Sequence, residues 1–220
     1  MKKLIGPSLA EFFGTLVLVC VVVGSGIMGT NLSADAGIAL VINTISTIFA
    51  LALLIVIIGP VSGAHFNPAV SLALLLQKKM TAAKFLAYVP AQILGAIAGA
   101  ILANLMFNLE AVQISENYRI SSGTLIGEVL ATAGLLIVIL VLIKRNQENI
   151  IAISVAAWIG SAYFFTSSTS FANPAVTIGR VFSDTFAGIS PDSLLPFVGA
   201  QLVGMALGLL AAKAITKSNL

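Results

Sequence analysis

"HFNPAV", residues 65–70, lies inside one of the most apolar stretches of a chain of 220 residues, and at 171–176 it returns as "FANPAV". An Asn followed by Pro is a helix start. Asn caps the free N–H groups of a first turn, and Pro fits the first helical position, where no N–H is needed. Each NPA (Asn67, Pro68, Ala69 and Asn173, Pro174, Ala175) therefore opens a helix. The apolar segments that follow, about 67–77 and 173–182, are too short to cross a bilayer, which needs ~20 residues.

The surrounding composition says where those helices lie. The chain is 59% hydrophobic and 9% charged, with mean hydropathy +1.08. A soluble domain carries about 25% charged residues, so this is an all-α integral membrane protein. Six stretches are long enough to span: roughly 4–28, 36–58, 82–107, 122–143, 150–169 and 193–212. The first carries Glu11 and is too long for a cleaved signal, so it reads as a retained span. Nine of the eleven basic residues fall on one side of a six-span topology; only Arg119 and Arg180 fall on the other. The positive-inside bias makes both termini cytoplasmic. The basic residues form no stripe that would suit nucleic acid. One cysteine, Cys20, and one histidine, His65, leave no basis for a disulfide, a metal site or a cofactor.

The two halves are copies, about 4–110 and 120–215, within one transmembrane unit spanning 1–220. "AQILGAIAG" (91–99) answers "AQLVGMALG" (200–208), and "LAEFFGT" (9–15) answers "IGEVLAT" (126–132). Three spans per half place the second copy upside down relative to the first. The two short helices then enter from opposite faces with their N-termini converging near mid-membrane. Each end carries roughly +0.5 elementary charge. That meeting point opposes cations and protons, while the amides of Asn67 and Asn173 can donate to a neutral polar molecule.

"SGAHFNPAV", "FANPAV", the paired glutamates and the A-Q-x-x-G repeats resemble the aquaporin, or major intrinsic protein, family over residues 8–212. The resemblance implies six tilted helices, two re-entrant half-helices, one pore per subunit and a homotetramer in a plasma membrane, here a bacterial inner membrane. It also implies that Glu11 and Glu128 are buried acids accepting hydrogen bonds from the re-entrant loops. The family usually has Arg after the second NPA, where this chain has Val176. Counting back from the two asparagines gives the other constriction positions as Thr47, Ser161 and Ser170. Such a ring would be wide and hydroxyl-lined, with one aliphatic wall. It would admit water, glycerol, urea or metalloid hydroxides such as arsenous acid. "TSFANPAVTIGRVFSDTFAGI" (169–189) also resembles a bacterial subgroup linked to arsenic resistance; an ordinary glycerol channel is the alternative.

Two vestibule residues stand out. Arg180 lies one turn beyond Val176. It could supply a displaced positive group there, or snorkel to the surface, or pair with Asp184. His65 is read as a pore-lining structural residue, with pH gating as the alternative. Phe164, Phe165 and Phe171 are read as core or pore wall. A coupled secondary transporter is the competing function, since transporters also use inverted repeats and broken helices. It would normally place coupling charges at the midplane. No nucleophile–base set supports an enzyme.

Overall fold

The computed structural model describes residues 2–217; Met1 and residues 218–220, the ends of the expected 1–220 unit, lie outside the described residues. Eight α-helices follow in the order α1 (Lys2–Leu32), α2 (Ala36–Ser62), α3 (Pro68–Leu76), α4 (Ala82–Met106), α5 (Ser122–Lys144), α6 (Ile151–Phe165), α7 (Pro174–Arg180) and α8 (Pro191–Lys217). A 3-10 turn at Glu148–Ile150 leads into α6. Six helical segments are long and apolar enough to cross a membrane, the fifth being the 3-10 turn and α6 together (Glu148–Phe165). α3 and α7 are the short helices that the two NPA motifs open. The order long, long, short, long occurs twice.

Close helix contact comes from the glycine pairs in the repeated motif. A Cβ at Gly95 or Gly99 of α4 would run into the Phe12 and Leu16 carbonyls of α1. A Cβ at Gly204 or Gly208 of α8 would meet the Val129 and Ala133 carbonyls of α5 in the same way. Small residues let two backbones touch where lipid offers no hydrophobic drive for association. The α1–α4 and α5–α8 pairs are thus built by one rule.

The loops before α3 and α7 share an unusual backbone. Gly63, Ala64 and Phe66 have φ of 96°, 48° and 49°. Their counterparts Thr169, Ser170 and Ala172 have 60°, 53° and 49°. Left-handed conformations at non-glycine residues persist only where the surroundings hold them. Here two fully buried acids do so. Glu11 accepts from the backbone N–H groups of His65 (2.9 Å) and Phe66 (2.7 Å), and from Ser62 Oγ (2.6 Å) and Gln92 Nε2 (2.8 Å). Glu128 accepts from the N–H groups of Phe171 and Ala172 (both 2.8 Å) and from Gln201 Nε2 (2.7 Å). Gln92 and Gln201, the glutamines of the repeated motif, each donate a second bond to the half-helix beside them, at Ser71 and Thr177.

Several expected span ends shift, and one side-chain expectation changes. The first span runs on to Leu32, and α6 stops at Phe165 rather than near 169. Thr166 turns extended (ψ 140°), and the polar run after it enters the left-handed loop. Phe164 and Phe165 point outward, at 56% and 54% exposure, and are not pore wall.

The glycine seams give a direct test. Gly99→Val should lower the thermal midpoint in detergent by an amount corresponding to about 3 kcal/mol, the upper range for overpacking. Gly199→Ala, where a Cβ meets nothing within 4 Å, should be neutral or gain up to ~1 kcal/mol. Equal behaviour of the two variants would contradict the seam.

Candidate functional site

The two half-helices meet through their capping asparagines. Asn67 Oδ1 accepts from Ala69 N (2.9 Å), closing the first turn of α3. Asn173 Oδ1 accepts from Ala175 N (3.0 Å) and Val176 N (3.3 Å) at the start of α7. Each amide nitrogen then crosses to the other loop. Asn67 Nδ2 donates to the Ala172 carbonyl (2.8 Å), and Asn173 Nδ2 donates to the Phe66 carbonyl (2.7 Å). One N–H of each amide is used in this exchange; the second is free of it.

Both asparagines line a cavity of about 620 Å³. It runs from Pro60, Gly63, Ile143 and Glu148 at one end, past His65, to Thr47, Tyr163, Ser170, Val176 and Arg180 at the other. Leu51, Leu135, Ile139 and Val155 give it a long apolar wall. Polar groups are confined to the loops, the two asparagines and the Arg180 end. A molecule in this cavity meets a few hydrogen-bonding groups along one track and hydrocarbon elsewhere.

At the His65 end, His65 Nδ1 lies 2.9 Å from Ser71 Oγ, and the ring packs edge-on against Tyr88 at 5.4 Å. Tyr88 donates to the Ser62 carbonyl (2.7 Å), as does Lys84 Nζ (3.1 Å). At the Arg180 end the repeat puts Phe171 in the place of His65 and Phe197 in the place of Tyr88. Those rings again pack edge-on, at 5.2 Å.

Of the residues expected at the constriction, Thr47, Ser170 and Val176 come together on the cavity wall, all buried. Ser161 does not: it is exposed on the outside of α6. Val155, Ile159 and Tyr163, spaced four apart, form the inner face of that helix. A residue two positions away is turned by about 200°. Counting from Asn173 assumed a loop length, and the loop after α6 is two residues out of that register. The fourth wall is therefore Tyr163, 4% exposed, whose hydroxyl lies 3.4 Å from Thr47 Oγ1. The wall at this level thus carries an aromatic ring where a serine was expected. The inward spacing of 155, 159 and 163 was the signal that could have found it.

Arg180 is buried at the same end and neither snorkels nor pairs with an acid. Its Nε donates to the Ala187 carbonyl, and its guanidinium carbon sits 3.4 Å from the centroid of the Phe171 ring. Asp184 instead accepts from Ser115 Oγ (3.3 Å) and Glu116 N (3.0 Å). Arg119, the other basic residue on this side, donates to the carbonyls of Gly188 (2.6 Å) and Phe186 (2.8 Å) and lies 5.4 Å from the same ring. Three consecutive carbonyls, 186 to 188, thus anchor two guanidinium groups beside one phenylalanine.

The model of the Major intrinsic protein family matches residues 1–171. Aquaglyceroporin AqpS of Rhizobium meliloti (strain 1021) is 49% identical over 195 residues, covering 89% of this chain and 83% of that protein. Aquaporin A of Dictyostelium discoideum is 32% identical over 207 residues, with 88% and 74% covered. Among solved structures, the aquaglyceroporin from Plasmodium falciparum superposes with a TM-score of 0.72 at 22% identity, covering 94% of this chain and 95% of that one. The fold, the converging half-helices and a relative sharing half of the aligned residues agree: this chain belongs to the major intrinsic protein family.

Proposed function

We propose that the cavity is the conduit of a passive channel for water and small uncharged solutes, glycerol and urea among them, and that it extends to metalloid hydroxides such as arsenous acid. The observation that carries this reading is the meeting of two helix N-termini at Asn67 and Asn173 inside one cavity. Their partial positive charges disfavour cations. The amide N–H groups not used in the crossed bonds are donors for a neutral oxygen-bearing solute. The long apolar wall leaves such a solute only a few hydrogen-bonding groups along one track, which favours fast single-file passage. The relative AqpS is named an aquaglyceroporin, which supports the solute class. The chain then works as one unit of two inverted repeats, about 4–110 and 120–215, in a bacterial inner membrane with both termini cytoplasmic. Homotetramerisation is part of the same proposal.

The constriction consists of Thr47, Tyr163, Ser170 and Val176, with Asn67, Pro68, Ala69, Asn173, Pro174 and Ala175 forming the central filter. Glu11 and Glu128 act structurally, holding the strained loops. Stopped-flow light scattering on proteoliposomes tests the channel directly. Flux should be non-saturating and independent of a proton gradient; saturation with proton coupling would instead indicate a transporter. Val176→Arg should lower glycerol and urea flux about tenfold, ~1.4 kcal/mol of added barrier, and water flux less. Equal fluxes for all solutes in that variant would remove Val176 from the constriction.

His65 acts here as a wall and anchor. Ser71 Oγ can donate to a neutral imidazole or accept from a protonated one, so the ring need not move when it titrates. Glu11, Lys84 and Tyr88 surround it; Glu11 accepts from the His65 N–H, and Lys84 and Tyr88 both donate to the Ser62 carbonyl at the end of α2. Glycerol permeability should be flat from about pH 5 to about pH 8, the range of histidine titration. A step within that range, abolished in His65→Gln, would instead make it a gate.

A further inference from the structure

The hydroxyls of Ser71 and Thr177 hold matching places in the two repeats. Each accepts from its own glutamine, Gln92 Nε2 at 3.0 Å and Gln201 Nε2 at 2.9 Å. They spend their own protons differently. Thr177 Oγ1 donates back to the Asn173 carbonyl of its half-helix (2.8 Å). The residue two before that asparagine is Phe171, whose ring offers no ring nitrogen to accept a proton. In the first repeat the residue two before Asn67 is His65, and its Nδ1 lies 2.9 Å from Ser71 Oγ.

The protons of the first repeat can be followed one by one. Glu11 Oε1 faces Ser62 Oγ and the His65 N–H, and Oε2 faces the Phe66 N–H and Gln92 Nε2. Ser62 Oγ already accepts from the Ala64 N–H, so its own proton goes to Glu11. A carboxylate ringed by donors fixes the Gln92 amide, because turning it over would set one oxygen against another. The amide keeps this orientation although its Oε1 is buried without a partner. Ser71 therefore accepts from Gln92, and its single proton is left for His65 Nδ1. A ring nitrogen that accepts carries no proton, so the neutral imidazole carries its proton on Nε2. Tyr88 and Lys84, the other polar neighbours of the ring, both donate to the Ser62 carbonyl. His65 lines the cavity; among the described residues its Nε2 has no protein partner, and it is not sealed.

Resting on the channel reading above, we propose that Ser71 and Gln92 are positioning residues that lock His65 as the Nε2–H tautomer, and that this N–H is a donor to oxygen-bearing solutes at its end of the conduit. Water, hydroxyl and urea oxygens can all accept from it. The opposite tautomer would present a bare ring nitrogen to the conduit, an acceptor in place of a donor. With the lock in place, the donors offered by Asn67 and Asn173 are continued by His65. The lock starts at Glu11 on α1 and runs through Gln92 on α4, so the seam between those helices sets the chemistry of a side chain on the cavity wall.

The test uses the full-length chain in lipid vesicles, isotope-labelled in histidine and read by solid-state nitrogen NMR at about pH 8, where an imidazole is neutral. The chain has one histidine, so the side-chain signals belong to His65 alone. Wild type should show a protonated Nε2 and a bare Nδ1, and the Nε2–H should receive magnetisation from water. In Ser71→Ala the Nδ1–H form should gain on the other by on the order of tenfold, the worth of one lost hydrogen bond. Gln92→Met frees the Ser71 oxygen to accept from the ring and should move the ratio the same way. A wild-type ring protonated mainly on Nδ1, or on both nitrogens, overturns the proposal, as does an Nε2–H out of contact with water. These results need no variant, so a substitution that fails to fold leaves the wild-type spectrum to decide. A folded Ser71→Ala or Gln92→Met protein with the wild-type spectrum overturns the lock as well. Wild-type vesicles that pass neither water nor glycerol by stopped-flow sink the channel reading instead, and leave the measured tautomer standing.

Discussion

The whole arrangement rests on the crossed bonds between two asparagines and two loops. Asn67 and Asn173 each cap their own helix with the carbonyl oxygen and tie the opposite loop with the nitrogen. Asn is suited to this because one short side chain carries an acceptor and two donors. Aspartate could cap but could not cross; a serine hydroxyl has too short a reach to do both. The carbonyls that receive the crossed bonds belong to Phe66 and Ala172, the residues held in left-handed conformations. Their N–H groups are pinned by Glu11 and Glu128. Each half therefore secures its own loop with a buried acid and the other half's loop with an amide. Neither half-helix is positioned without the other.

That mutual dependence explains why irregular backbone survives at this depth. Outside helices, every backbone group in a bilayer needs a partner from protein or from water in a cavity. Here the partners are side chains from the long helices. Glu11 and Gln92 sit on one glycine-seamed pair, Glu128 and Gln201 on the other. The seams bring α4 against α1 and α8 against α5 closely enough for glutamine and glutamate to share one loop. Packing of the long helices and placement of the short ones are thus one problem, and the repeated A-Q-x-x-G motif encodes both parts of it.

Much of this was legible in the residues. The recurring NPA set two capped half-helices, the paired motifs set the repeat, and hydropathy set six spans. These signals are local or periodic, so they survive without knowledge of loop geometry. The constriction was less legible because it depends on register across loops. Thr47 lies within an uninterrupted helix, and Ser170 and Val176 lie within three residues of Asn173; all three line the cavity as counted. Ser161 required counting across the seven-residue stretch 166–172, and the face of α6 turned out to carry Tyr163 instead. The partners of Arg180 were not legible at all. An arginine bound by a backbone carbonyl and an aromatic face leaves no acidic partner in the sequence to find, and the obvious candidate at i+4, Asp184, is engaged elsewhere.

The two ends of the cavity show how a repeat diverges while its frame is kept. In one half an imidazole sits edge-on to a tyrosine, with Lys84 near that ring at 4.9 Å. In the other a phenyl ring sits edge-on to Phe197, with Arg180 stacked upon it. The edge-on pair is the common element, and the cation is placed differently on each. A polar imidazole can itself line the conduit, so the nearby lysine can remain at the rim, bonded to Ser62. A phenyl ring offers no hydrogen bond, but its face can seat a guanidinium. The replacement of histidine by phenylalanine between repeats therefore creates the seat that Arg180 occupies. With a cation already held there, a second arginine at position 176 would stand one turn away on the same helix face and repel it.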